Sequence, residues 1–294
     1  MKTVVAAIIA VILGFLIGIS LTFIFKKLPE SWLQDYDYDP KSPKFRLAKR
    51  MEIFPHGVLA GVFCCAFYLV AVIFFKELLD NMMFIRMAAI LLIVPVLFLI
   101  LISDKLNRII PDQFSIFMGI FGLILLASDY LEKNFWFTPE APWFAPLINR
   151  FGAALLGAGV LFLMGLLGEL LFSKESMGHG DIKLIAACGL CTGIYGMVVL
   201  IYVSVFSALL FAIPLLVKKQ MRVNEEKKAI RNSEDPIQAR MEINIKKAQT
   251  HYAEDPDYLA FGPFLALGCG VFVILEPVFF SLMIKNLNLL GLYF

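Results

Sequence analysis

Met177-Gly178-His179-Gly180-Asp181-Ile182-Lys183-Leu184 leads into apolar sequence that runs without a clean polar break to Val217. A straight helix over the 37 residues from Asp181 to Val217 would span about 55 Å, too long for one crossing of a ~30 Å bilayer core. The stretch is therefore read as two spans, divided near Thr192-Gly193-Ile194-Tyr195-Gly196. The first of the two is then short, which sets Asp181 below the polar surface. A carboxylate is expensive there and usually has a task. The two glycines let the backbone turn sharply and let another backbone approach. The plainer alternative is a glycine turn with Asp181 as a helix cap.

Outward from this stretch the chain repeats the same texture. Hydrophobic residues make up 60% of its 294 residues, above the share usual in soluble domains. Apolar runs over about 4–25, 57–75, 83–103, 114–131, 152–172 and 259–284 complete an all-α polytopic membrane bundle of about eight spans. The run at 4–25 is too long for a signal-peptide core and is read as a retained first helix. Residues 1–294 form one integral-membrane domain, with a short polar loop at 27–56 and a charged, helical-looking excursion at 218–257. A net charge of +2 indicates no nucleic-acid partner, and lipid is the expected surrounding.

With eight spans, the loops fall into two sets. The set holding 27–56, the Asp104 turn, the Asp181 turn and 218–257 carries 20 Lys/Arg. The other set, with both termini, carries six: Lys2, Lys76, Arg86, Lys133, Arg150 and Lys285. The positive-inside rule places the first set in the cytosol and both termini outside.

Several local patterns are set aside. Asp35-Tyr-Asp37-Tyr-Asp39 begins like a calcium loop, but Pro40 and Arg46 stand where glycine and glutamate are required. Cys188-Gly-Leu-Cys191 has redox or zinc spacing inside an apolar run, where small packing residues are the better reading. Aromatic residues at 132–150, Trp136 and Trp143 among them, suit the membrane interface. No metal or cofactor is expected. Glu169 and Asp129 are read as the additional acids in or near spans; without paired broken helices they make a poor ion-coupled transporter.

A second acidic turn changes the weight of the first. Asp104-Lys-Leu-Asn-Arg-Ile-Ile-Pro111-Asp112 follows the third span, on the same side as Asp181. Two carboxylates in close contact share a proton. The ionised member then takes a proton from water while the protonated member polarises a peptide carbonyl. Gly178 and Gly180 would let an extended substrate backbone pass beside Asp181. Without a Ser/His/Asp set, a Cys/His pair or HExxH, aspartyl hydrolysis is the coherent chemistry. The structural alternatives pair Asp104 with Lys105 or Arg108 and Asp181 with Lys183, and make Asp112 a cap.

Taken in order, these pieces resemble the type IV prepilin peptidases, membrane aspartyl proteases of the GxGD class. The matching pieces are Ile12-Leu-Gly14 to Gly18 with Leu28-Pro29, Asp104 with Pro111-Asp112, Lys174 to Leu184, and Ala260-Phe-Gly262-Pro263-Phe264 to Gly268. The resemblance implies Asp104 and Asp181 as the catalytic pair. Gly178, Gly180, Lys183, Asp112, Gly262 and Pro263 become supporting or substrate-binding positions. It implies cleavage of the basic leader from prepilins or prepilin-like proteins at the cytosolic face of a bacterial inner membrane. Residues 27–56 lack the paired CxxC motifs of bifunctional members, so N-methyltransferase activity is not expected. The alternative is a non-catalytic membrane scaffold in a pilus, competence or secretion assembly.

Overall fold

The structure, a computed structural model, describes residues 2–34, 46–74, 84–131, 141–172, 178–233, 235–249 and 259–289. All regular structure among them is helical. The helices are α1 (Lys2–Lys27), α2 (Val58–Phe74), α3 (Phe84–Asn107), α4 (Asp112–Leu131), α5 (Ala145–Phe172), α6 (His179–Asn232), α7 (Pro236–Gln249) and α8 (Gly262–Leu289). Seven of these, all but α7, contain segments long and apolar enough to cross a bilayer. The chain is a multi-pass membrane protein.

The long α6 is not one straight rod. Gly193 takes φ +70° and ψ 176° in its interior. That conformation favours glycine, and a Cβ there would lie 2.4 Å from the Asn149 amide nitrogen. The chain reverses at this point. On one side of the break Asp181 interacts with Asp104 near Gly262. On the other, the Ser204 hydroxyl donates to the Phe264 carbonyl at 2.9 Å, close to the same end of α8. Met197 and Ile185, from opposite sides of the break, both face Gly157 of α5. Residues 179–192 and 194–232 are thus two antiparallel limbs, divided where the sequence reading divides them.

Helix α8 runs antiparallel to α3. Gly262 meets Asp104, Gly270 meets Leu97, and Glu276 pairs with Arg86. The core is continuous along this seam: Ile93, Leu97 and Ile100 of α3 and Leu265 and Cys269 of α8 are fully buried. The cysteines of the CxxC spacing are buried free thiols, and the Cys191 thiol donates to the Met118 carbonyl at 3.2 Å.

Two boundaries depart from the sequence reading. Helix α3 continues one turn past Ser103, so Asp104 lies in the helix rather than after it; Arg108 ends the helix in the left-handed region (φ 58°), its N–H on the Asp104 carbonyl. Helix α5 begins at Ala145, so Arg150 is helical rather than part of a loop. Neither Gly178 nor Gly180 has a positive φ. A Cβ on Gly180 would sit at ordinary contact distance, 3.4 Å, from that of Ile110. The excursion is helical to Asn232 and again over α7, which packs against α6. The calcium-like turn at 35–39, the aromatic residues at 135–137, Lys174 and residues 250–257 lie outside the described residues.

Candidate active site

Three helix ends converge at one end of the bundle. Asp104 stands in the last turn of α3 and Asp181 in the first turn of α6. Gly262, at the start of α8, donates its backbone N–H to the Asp104 carboxylate. A helix N-terminus carries orphan N–H groups and partial positive charge, so α8 is well placed to hold a buried anion. The approach is close: a Cβ on residue 262 would lie 2.6 Å from the Asp104 Oδ2 and 2.7 Å from the Ile110 side chain, so both side chains would have to shift. Pro263 follows in the first turn, where its missing N–H costs nothing.

Asp104 is buried, with 6% of its surface exposed. Burial and the Arg108 guanidinium act on it; on Asp181, burial and the charge of Asp104 act. The Asp181 Oδ1 is buried without a hydrogen-bond partner. The two carboxylates are therefore electrostatic neighbours, and one of them has an oxygen facing no protein donor.

The supporting positions sort differently. Lys183 pairs with Asp112. Its Nζ donates to both oxygens of Asp112 at 2.9 Å, tying the start of α6 to the start of α4 on the exposed rim. Gly178 is an extended residue before α6; its carbonyl accepts the Asp181 N–H at 3.1 Å. The polar loop also reaches the site. The Asn107 side chain, one turn beyond Asp104, accepts the Lys49 N–H at 2.8 Å and donates to the Lys49 carbonyl at 3.2 Å. Glu30 accepts the Ala48 N–H and pairs with Arg50. These contacts hold residues 46–50 as a strap beside the end of α3.

Residues 90–213 match the type IV leader peptidase family. The matched segment is less than half of the chain. It contains Asp104, Asp112, Gly178, Gly180, Asp181, Lys183 and the Gly193 break, but not Gly262 or Pro263. A 76-residue stretch is 42% identical to the prepilin leader peptidase/N-methyltransferase of Neisseria gonorrhoeae. It covers 26% of this chain and 27% of that relative, so the match spans about a quarter of the relative's length. No solved structure matches the chain.

Sequence reasoning missed a cluster at the opposite end. Arg86, Asp129, Arg150 and Glu276 are all buried and joined by ion pairs. The sequence reads Arg86 and Arg150 as loop cations and passes over Glu276 among the acids in spans; in the structure all three are buried. Two acids and two arginines at matching depths of α3, α4, α5 and α8 were the available signal. Without these two arginines the sparser loop set holds four cations, which widens its contrast with the other.

Proposed function

We propose that the chain is a membrane aspartyl endopeptidase that removes the basic leader from type IV prepilins or prepilin-like proteins, without N-methylating the product. The observation that carries the reading is the meeting of Asp104 and Asp181 at one end of the bundle, with an Asp181 oxygen that no protein group satisfies. The family match over 90–213 supports it. In the proposed reaction one carboxylate takes a proton from water, and the resulting hydroxide attacks the scissile carbonyl carbon. The protonated partner stabilises the developing oxyanion, and the C–N bond breaks as the leaving amine gains a proton. The pair titrates as a unit, so neither aspartate is assigned a fixed role. Gly262 holds Asp104; Lys183 and Asp112 fix the two helix starts. The cation excess of the loops on this side supports a site facing the cytosol and both termini outside the inner membrane. The absence of paired CxxC motifs between 27 and 56 supports a protease without the second activity.

The test is an in-membrane cleavage assay with the host's own prepilin-like proteins, followed by sequencing of the new N-terminus. Cleavage after the leader, at least ~10³-fold slower in both Asp104→Asn and Asp181→Asn, is the expected result, as for loss of a member of a catalytic set. An uncut leader in wild-type membranes, or a variant that cuts normally, overturns the assignment.

A further inference from the structure

The buried ionic cluster lies far from Asp104 and Asp181, yet it grips the helix that carries Asp181. Arg150 makes a bidentate contact to Asp129, Nε to Oδ2 at 2.5 Å and Nη2 to Oδ1 at 2.8 Å. Its remaining nitrogen, Nη1, donates to the Leu190 and Cys191 carbonyls at 2.8 and 3.0 Å. Those carbonyls belong to the last turn of residues 179–192, which the break at Gly193 leaves without partners further along the helix. Across the break, the Ile194 N–H is accepted by the Asn149 side chain at 2.9 Å. Neighbouring residues of α5 thus hold both lips of the break. The Arg150–Asp129 pair is itself tied to α3 through Arg86, 3.3 Å from Asp129, and through Arg86 to Glu276 of α8. The same three helices, α3, α6 and α8, converge on Asp104 and Asp181 at the other end.

We propose that the Arg86–Asp129–Arg150–Glu276 network, with Asn149, is a positioning device that sets the height and rotation of Asp181 against Asp104. The inference rests on the proposed reading of those aspartates as the reacting pair. The network is about 15 Å from Asp181 along the helix, so none of its members touches the reacting atoms. A slip of one residue would translate the 179–192 limb by ~1.5 Å and rotate it by ~100°, turning the Asp181 carboxylate off its partner. Misplacement of about 1 Å is worth about 10²-fold in rate. Four buried charges in a membrane bundle are a costly way to fasten helices, and the two carbonyls accepting from Arg150 identify what is being held.

The experiment replaces the pair without stranding a charge. The double variant Arg150→Met with Asp129→Leu removes one cation and one anion and leaves Arg86–Glu276 intact; buried pairs exchanged for apolar residues are often neutral in stability. In detergent or proteoliposomes, the expected result is an unfolding midpoint within a few degrees of wild type. Leader cleavage is expected to show kcat lowered ~10- to 100-fold and KM little changed. Arg150→Lys, which keeps the charge but not the fork, falls between. A second measurement needs no activity. In a chain whose native cysteines are replaced by serine or alanine, Asp104→Cys and Asp181→Cys are introduced and oxidised to a disulfide. Cross-linking is expected to slow severalfold when the Arg150–Asp129 pair is removed. Unchanged cross-linking, or a stable double variant with wild-type kcat, overturns the proposal. If the wild type cuts no leader, the functional reading falls on its own, and the cross-linking rate still decides whether the network positions Asp181.

Discussion

The two ends of the bundle bury acids in opposite ways. At one end Asp129 and Glu276 meet Arg86 and Arg150 in equal number, with the Arg150 fork closed on Asp129. At the other, Asp104 and Asp181 act on each other electrostatically, and an Asp181 oxygen has no partner. A paired buried carboxylate is a fastener; its free energy is spent on geometry. An unsatisfied one is a liability unless water, substrate or its neighbour completes it. The contrast separates structural from reactive acids within one chain without appeal to their position along the sequence.

That contrast breaks most sharply under single substitutions. Arg150→Met alone leaves Asp129 short of its main partner in a buried setting, a change expected to cost about 3–5 kcal/mol. Unfolding in detergent should show it as a large drop in midpoint. Asp181→Asn is expected to leave the midpoint nearly where it was while abolishing cleavage, since no protein donor is lost from Oδ1. Equal destabilisation by the two would erase the distinction between fastener and reactive group.

The site end was more legible in the sequence than the fastening end, for a physical reason. Glycine beside an acidic residue in an apolar run is a local signal, visible within a few positions of Asp181, and Gly262-Pro263 marks a helix start in the same way. The division of 181–217 followed from bilayer thickness, and Gly193 is where the chain turns. The network, by contrast, is spread over residues 86, 129, 150 and 276. Each member reads alone as a flanking charge, and only the folded bundle brings them to one level. Neither Gly178 nor Gly180, before and at the start of α6, has a positive φ. The conformational freedom of glycine is used instead at Gly193.

Gly193→Ala tests that last assignment and sits next in size. A left-handed φ costs an L-residue roughly 1–2 kcal/mol, and the added methyl must displace the Asn149 amide that accepts from Ile194. A stability loss of about 2 kcal/mol or more is expected, with Asn149→Ala sharing part of it, so that the double variant costs less than the two singles combined. Additive losses would show that Asn149 and the break act separately. At the site end the corresponding change, Gly180→Ala, meets only a 3.4 Å contact with the Ile110 side chain and is expected to cost less.

The smallest effect concerns the strap, which belongs to neither acid pair but lies beside Asp104. Burial pushes the Glu30 carboxyl up, yet the Ala48 N–H, the Gln34 amide and the Arg50 guanidinium outweigh it and hold the carboxyl below its ordinary range. The sign follows. The stabilising contribution is fully present above the unfolded carboxyl's range and is lost as pH falls through Glu30's own, lower value. Hydrogen exchange at the Ala48 amide, corrected for its intrinsic pH dependence, should therefore show protection that persists through mildly acidic pH and then fades. Glu30→Gln should remove that step while leaving the Lys49 amide, held by Asn107, partly protected. Loss of both protections together would mean that residues 46–50 open as one unit. The strap would then be hinged on Glu30 alone, and Asn107 would serve to end α3 rather than to hold the loop across it.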